Sequence, residues 1–128
     1  MIAITCAAKN GAILFNKRRC SKDREVISDI IATFGEDIRV TSFSRDLFEG
    51  YGVSTVTVNE LCDDDIFFFE DIPFNEFSKK VSRLIVYRWD RVYPAGLSLE
   101  IDNSFKLIEK TEIMGYSHDK IIREVYSR

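Results

Sequence analysis

Five cations lie close together near the start of the chain and form its strongest local charge feature. They are Lys17, Arg18, Arg19, Lys22 and Arg24. Arginine pairs with phosphate or carboxylate groups through two parallel hydrogen bonds, and the free amides at the start of a helix favour the same anions. The cluster therefore predicts a site for a phosphate, a nucleotide or an acidic protein surface, although a solvated loop has the same composition.

A second candidate group surrounds the single tryptophan. Arg88, Asp90, Arg91 and Tyr93 flank Trp89 shortly before a proline. Aromatic rings at this corner could stack on a ligand while an arginine holds an anion. Strand-edge arginines paired with nearby acids would look the same in sequence, so both interpretations stay open.

The positions of these charges offer a test of ligand binding. A small-molecule pocket requires Lys17, Arg19 and Arg24 to converge with Arg88 or Arg91 on one concave surface. If the side chains point outward instead, a protein partner is favoured.

Counting residues excludes several kinds of reactive site. His118 is the only histidine, so no metal site built on several imidazoles can form. The adjacent residues Ser117 to Asp119 cannot meet in the geometry of a catalytic triad. The acidic run Asp63 to Asp65 lacks the glycine and the spacing of a calcium loop, and we expect it to be solvated. We therefore predict no metal and no bound cofactor.

Composition describes a small acidic globular chain. The 128 residues are 45% hydrophobic and carry a net charge of −3, which fits one domain over residues 1–128 and gives no basic field for bulk nucleic acid or an anionic membrane. The first residues lack the basic start and long apolar stretch of a leader, and no apolar run is long enough to span a membrane, so we expect neither kind of segment. Three widely spaced cysteines predict free thiols. We expect a cytoplasmic location without membrane contact.

Hydrophobic periodicity and turn residues predict the elements that must position these side chains. We expect strands over Ile2 to Ala8 with an extension at Ile13 to Phe15, and over Ile38 to Thr41, Thr55 to Val58, Ile66 to Phe69 and Arg83 to Trp89. Between them we expect a helix capped by Ser21 and ended by Gly35, a short helix from Ser44 to Gly50, and a second helix from Pro73 to Val81.

The C-terminal third predicts an antiparallel finish. Leu97 to Ile101 and Phe105 to Ile113 alternate in hydrophobicity on either side of a turn, which indicates a hairpin. The segment from Ser117 to Arg128 fits either a helix or a last strand. Taken together, the elements predict an α/β fold, with a mixed, mostly parallel sheet flanked by helices and an antiparallel C-terminal hairpin.

This order of elements and several local stretches resemble dihydrofolate reductase across most of the chain. Ile2 to Ile13 resembles the family's first strand and turn, Arg39 to Phe48 the segment that carries NADPH phosphate contacts, and Arg83 to Glu109 the closing strands. Asp23 lies in the neighbourhood of the acidic residue that binds the pterin in that family. The resemblance implies the same fold, and it would make Asp23 the acid group of a reductase.

Departures from the family's pattern weigh against reductase activity. Phe43-Ser44 and Asp46 stand where the family has a Gly-Arg pair and a Thr, and Phe69-Glu70-Asp71 stands where it has a Gly-Gly pair. Bulk and negative charge thus replace two phosphate contacts. The family's tryptophan beside the substrate has no counterpart in the short loop between Ile13 and Asp23. A reductase of this family needs its nicotinamide cofactor to supply the hydride, so a chain without a nicotinamide site is not expected to catalyse the reduction.

We therefore predict a non-catalytic binding protein on a dihydrofolate-reductase-like scaffold, which holds a small anionic ligand such as a nucleotide. The candidate ligand-binding residues are Lys17, Arg18, Arg19, Asp23, Arg24, Arg88, Arg91 and Tyr93. Two alternatives stay open: a divergent NADPH-dependent reductase, and an immunity- or inhibitor-type interaction protein whose acidic loop Glu60 to Asp71 faces a basic partner. Whether the chain is an enzyme is left open, and the lost phosphate contacts favour that it is not.

Overall fold

A seven-stranded mixed sheet forms the centre of the computed structural model, which describes all residues from Met1 to Arg128. In spatial order its strands are β5 (Ser54–Thr55), β4 (Arg39–Val40), β6 (Ile66–Phe68), β1 (Ile2–Ala7), β7 (Arg83–Trp89), β10 (Ile121–Ser127) and β9 (Lys106–Ile113). The first five run parallel, and β10 runs antiparallel to both of its neighbours. The mixed, mostly parallel sheet is therefore confirmed.

A second, smaller sheet contains β3 (Arg18–Arg19), β2 (Ala12–Phe15) and β8 (Leu97–Ser98), in that order. The sequence predicted that Ile13 to Phe15 extends the first strand, and this is wrong. The turn at Gly11, which adopts a positive φ of 87°, sends the chain out of the central sheet and into the smaller one.

Side chains alternate across the central sheet, so its strands supply two separate apolar cores. One core lies under helix α1 (Arg24–Phe34), and the other lies under residues 74–81 and Phe105. The first includes Ile4, Val26, Ile30, Phe68 and Ile85, and the second includes Ala3, Phe67, Phe74, Phe77 and Leu84. Both faces of β1 and β6 are therefore covered, which fits the unbroken apolar sequences of these strands.

The cap of helix α1 lies two residues later than the sequence predicted. Its cap is Asp23, whose carboxylate accepts a hydrogen bond from the Glu25 amide at 2.9 Å, and not Ser21. A carboxylate next to the first helical residue satisfies a free amide and favours the positive end of the helix dipole. The helix ends at Gly35 with a positive φ of 79°, as predicted.

The predicted short helix from Ser44 to Gly50 is a 3₁₀ helix over Ser42–Phe48. Ser44 does not cap it, because its side chain is buried within the turn and its hydroxyl donates to Glu70. The chain then leaves through Gly50, which has a positive φ of 90°.

The predicted helix from Pro73 to Val81 is wrong. The segment forms two 3₁₀ turns, Phe74–Glu76 and Ser78–Lys80, which are interrupted at Phe77 by a φ of −136°. Residues three apart lie above one another in a 3₁₀ turn. This geometry lets the Phe74 and Phe77 rings meet edge to face, with centroids 5.5 Å apart, in the second core.

The C-terminal hairpin exists, but its strands differ from those predicted. β9 pairs with β10, from Ile113 opposite Ile121 to Lys106 opposite Ser127, whereas β8 pairs with β2. Alternation shows that a segment has two faces, but it does not identify the neighbouring strand. The segment from Ser117 onward therefore supplies a last strand and not a helix.

We expect Phe68→Ala to lower the free energy of unfolding by about 3–5 kcal/mol, because it leaves a cavity between β6 and the Phe48 ring. Phe68 is fully buried, and the two ring centroids are 5.1 Å apart. Phe15→Ala is the matched control, since Phe15 is 44% exposed and should lose less than about 1 kcal/mol. Urea denaturation of both variants measures the difference, and equal losses would contradict this description of the core.

Candidate functional site

Side chains capable of chemistry gather at the carboxyl edge of the central sheet, the edge at which open α/β sheets bind ligands. The start of α1 lies there, together with the residues that follow β6 and β7. The loop before β10 reaches the same edge, because Ile121 pairs with Trp89 at the end of β7.

Asp23 is the most heavily hydrogen-bonded side chain at this edge. Its Oδ1 accepts from the amides of Glu25 and Tyr116, each at 2.9 Å. Its Oδ2 accepts from the amide and hydroxyl of Ser117 and from the amide and ring Nδ1 of His118, at 2.9–3.2 Å. Both oxygens are thus occupied by the chain itself, so Asp23 joins α1 to the segment before β10.

This set of donors determines the charge of Asp23. Burial alone raises the pKa of a carboxyl group, but here the hydrogen bonds from the Tyr116 amide, the His118 ring and the Glu25 and Ser117 amides outweigh it. They hold the pKa of Asp23 well below its usual range. The group is therefore an ionised acceptor, in contrast to the proton-supplying acid of a reductase that the resemblance implies.

Ser21 and His118 extend the network from Asp23 towards solvent. The Ser21 hydroxyl lies 2.7 Å from Nε2 of His118, and Nδ1 of the same ring lies 2.9 Å from Asp23 Oδ2. The Trp89 ring stacks on the imidazole, with centroids 4.5 Å apart. A hydroxyl, an imidazole and a carboxylate are therefore connected in series.

Arg19 lies at the same edge but is held by acidic side chains. It donates to both carboxylate oxygens of Glu70, at 2.9 and 3.1 Å, and to both oxygens of Asp46, each at 3.0 Å. Its guanidinium also lies 5.2 Å from the centroid of the Phe43 ring. These contacts connect β3 to the end of β6 and to the 3₁₀ helix at residues 42–48.

Two hydroxyl groups at this edge are hydrogen-bonded to carboxylates of the chain. Ser44 Oγ donates to Glu70 Oε2 at 2.6 Å, and Thr41 Oγ1 donates to Asp71 Oδ1 at 2.7 Å. Hydroxyl groups that could donate to a phosphate are therefore bound to carboxylates that follow β6. A phosphate placed here would meet the negative charge of Glu70 and Asp71.

An open crevice of about 560 Å³ lies beside the start of α1. Its lining includes Lys22, Arg24, Glu49, Tyr51 and Tyr116. The Arg24 guanidinium lies over the Tyr116 ring, 3.4 Å from its centroid, and its contact with Glu25 is long at 3.9 Å. This crevice combines an aromatic surface with two exposed cations.

The remaining candidate residues lie elsewhere. Lys17 is exposed in the turn between β2 and β3, Arg18 is exposed at the start of β3, and Arg91 is exposed after β7. Tyr93 is half-buried and packs against the core under α1. Arg88 lies on the opposite face of β7 from Trp89, where its guanidinium donates to Glu124 at 2.8 Å and to the Ala8 carbonyl.

Lys17, Arg19 and Arg24 therefore do not converge with Arg88 or Arg91, which argues against a pocket built from those residues. Of the five clustered cations, Lys22 and Arg24 line the crevice. Sequence reasoning missed the Ser21 and His118 pairing, because 97 positions separate the two residues. The one available signal is that Ser21 and Asp23 stand two apart before a helix.

No group of three or more His, Cys, Asp or Glu side chains is placed to hold a metal ion. The three cysteines are free thiols. None of the helices has both the length and the apolar character needed to cross a bilayer.

We expect the stability conferred by Asp23 to depend on pH. Because the folded-state pKa is lowered, this contribution is fully present above the unfolded-state value of about 4 and is lost as pH falls below it. Asp23→Asn should lower the free energy of unfolding at pH 7 by at least about 2 kcal/mol, since amide hydrogens then face the donors around Oδ2.

The measurement is the difference in unfolding free energy between wild type and Asp23→Asn from pH 7 down to pH 2. It should shrink below about pH 4. Asp119→Asn is the control, because Asp119 is exposed and should change stability little at any pH. A difference that stays constant across the range would contradict the ionised buried carboxylate.

Gly115→Ala tests how closely the chain wraps around Asp23. A Cβ at position 115 would lie 2.7 Å from Asp23 Oδ2 and 2.8 Å from Ile121 Cδ1, and it would also overlap the His118 carbonyl. We expect a loss of roughly 1–3 kcal/mol in thermal or urea unfolding. Gly52→Ala should be near neutral, because its nearest neighbour would be a flexible Glu36 side chain at 3.9 Å. Equal effects would contradict the tight turn.

Comparison with known proteins identifies the scaffold. No protein-family model matches the chain, and no curated protein matches its sequence. Among solved structures, it is similar to dihydrofolate reductase from Enterococcus faecalis, complexed with NADP(H) and RAB-propyl. The match covers 100% of this chain and 96% of that one, with a TM-score of 0.72 and 12% identity. At this identity the likeness extends to the fold alone, and the chain therefore has a dihydrofolate-reductase-like fold, as its sequence resemblance predicted.

Proposed function

We propose that the chain binds a small anionic molecule such as a nucleotide in the crevice beside the start of α1, and that it does not transfer hydride. The observation that carries the proposal is the pairing of two exposed cations, Lys22 and Arg24, with the exposed ring of Tyr116. An aromatic ring can stack on a base, while the cations pair with a phosphate or carboxylate.

The size and position of the crevice support this proposal. A volume of about 560 Å³ lies within the range of small-molecule sites, and the crevice opens at the carboxyl edge of the sheet. Two of the acids in its walls are already paired, since Asp23 accepts from the chain and Asp46 from Arg19. Both carboxylates therefore already have hydrogen-bond donors within the chain, whereas Lys22 and Arg24 are exposed donors that a ligand can reach.

The arrangement at the end of β6 argues against the reductase alternative. Glu70 and Asp71 hold the hydroxyls of Ser44 and Thr41, and Arg19 is held by Glu70 and Asp46. The groups that would have to bind a dinucleotide are thus bound to one another.

A cytoplasmic location, where free thiols stay reduced, is part of the proposal.

A protein partner is the second candidate, and the outward-facing cations favour it. Lys17, in the β2–β3 turn, and Arg18, at the start of β3, are exposed and have no part in the crevice. Such a surface suits an acidic partner, whose association would be steered by charge.

We expect nucleoside phosphates to raise the melting temperature, because a ligand at a hundredfold excess over its Kd stabilises the folded state by about 2.7 kcal/mol. The measurement is a thermal-shift screen against nucleotides, cyclic nucleotides, NADPH, dihydrofolate and methotrexate. A higher melting temperature with NADPH or the folates would support the reductase alternative. No shift with any of these compounds would favour a protein partner.

The double variant Lys22→Ala/Arg24→Ala assigns any response to the crevice. We expect its affinity to fall at least about tenfold, since one charge-assisted hydrogen bond contributes roughly 1.5 kcal/mol or more. Lys79→Ala/Arg83→Ala is the matched control, because it removes the same two charges from exposed positions outside the crevice. An equal loss of affinity in both double variants would show that the effect comes from the overall charge of the protein, and it would overturn the assignment of the ligand to the crevice.

A further inference from the structure

We propose that Ser21, His118 and Asp23 form a nucleophilic triad that transfers the acyl group of a small carboxylic ester to water. The hydroxyl lies 2.7 Å from one ring nitrogen of His118, and the other ring nitrogen lies 2.9 Å from the carboxylate. A triad is recognised by this geometry and not by sequence order. The activity goes beyond the proposed binding function and does not depend on it.

The carboxylate determines which ring nitrogen acts as the base. Ionised Asp23 only accepts hydrogen bonds, so Nδ1 of His118 carries the proton and the lone pair of Nε2 faces the Ser21 hydroxyl. The Trp89 ring, 2% exposed, stacks on the imidazole at an interplanar angle of 25° and fixes its plane. His118 is thus oriented from two sides, and Asp23 acts as a positioning residue.

The nucleophile is the most accessible member of the triad. Ser21 is half-buried, whereas His118 and Asp23 are buried. The crevice wall includes Lys22, which follows Ser21, and Ser117, which precedes His118. The amides of Ser21 and Lys22 make no hydrogen bond within the chain, so they are available to an oxyanion near the positive end of α1.

A capping role does not account for the Ser21 hydroxyl. Asp23 caps α1, and the only hydrogen bond of the Ser21 side chain is the one to His118. A serine whose hydroxyl is bonded to an oriented imidazole is the arrangement that nucleophilic catalysis requires.

The reaction balances with water as the only co-reactant. Ser21 Oγ attacks the ester carbonyl carbon while its proton passes to His118 Nε2, and the ester C–O bond breaks as that proton passes to the departing alcohol. Water then attacks the acyl-serine, giving its proton to His118, and the acyl–Oγ bond breaks as Ser21 regains a proton. The products are a carboxylic acid and an alcohol.

Two probes test the proposal on the full chain. A fluorophosphonate should form one Oγ–P bond at Ser21 with loss of fluoride, detected by intact mass and peptide mapping, and p-nitrophenyl acetate should be hydrolysed above the solvent rate. Ser21→Ala should abolish the label and lower hydrolysis at least about a hundredfold. Ser54→Ala is the control, since Ser54 is also half-buried and should leave both unchanged.

His118→Asn separates catalysis from folding. The asparagine amide can still donate to Asp23, so the turn around the carboxylate should stay intact, but no base faces Ser21. We expect a folded protein whose melting temperature is lowered by the lost stack on Trp89, and labelling at least about a hundredfold slower than wild type. The proposal is overturned if wild type is not labelled at Ser21, or if folded His118→Asn is labelled at the wild-type rate.

Discussion

The buried carboxylate of Asp23 is the constraint on which the functional edge of this protein depends. A charge removed from water needs compensating hydrogen bonds, and here the chain supplies six of them from the start of α1 and from residues 116–118. The donors can reach the carboxylate only because Gly115 has no Cβ. One side chain thereby fixes the first turn of the helix, the approach to β10 and the orientation of His118.

A second carboxylate connects α1 to the central sheet at a position further into the helix. Asp29, one turn and a half into α1, accepts from the Tyr87 hydroxyl at 2.6 Å and from Arg123 at 2.7 Å. The helix is thus joined to β7 and β10 by ionic hydrogen bonds as well as by its apolar face. This rigidity suits a site in which a hydroxyl and an imidazole must keep a fixed separation.

Charged groups at the carboxyl edge of this dihydrofolate-reductase-like fold differ in how far they are paired within the chain. Arg19, Asp46 and Glu70 form a closed ionic cluster. Lys22 and Arg24 are exposed at the crevice beside α1. A shared fold does not establish a shared activity, so the function has to be argued from the groups at this edge.

The sequence by itself determined the strands with continuous or alternating apolar residues, the end of α1 at Gly35 and the loss of small residues at Phe69, because these are local properties of period, volume and backbone freedom. It misassigned the Pro73 segment and the partner of β9, since strand pairing depends on the rest of the sheet. Only the tertiary structure determined that the Ser21 side chain contacts His118 and that the charge of Arg19 is balanced by Asp46 and Glu70. Both facts rest on contacts between distant segments, which no local pattern encodes.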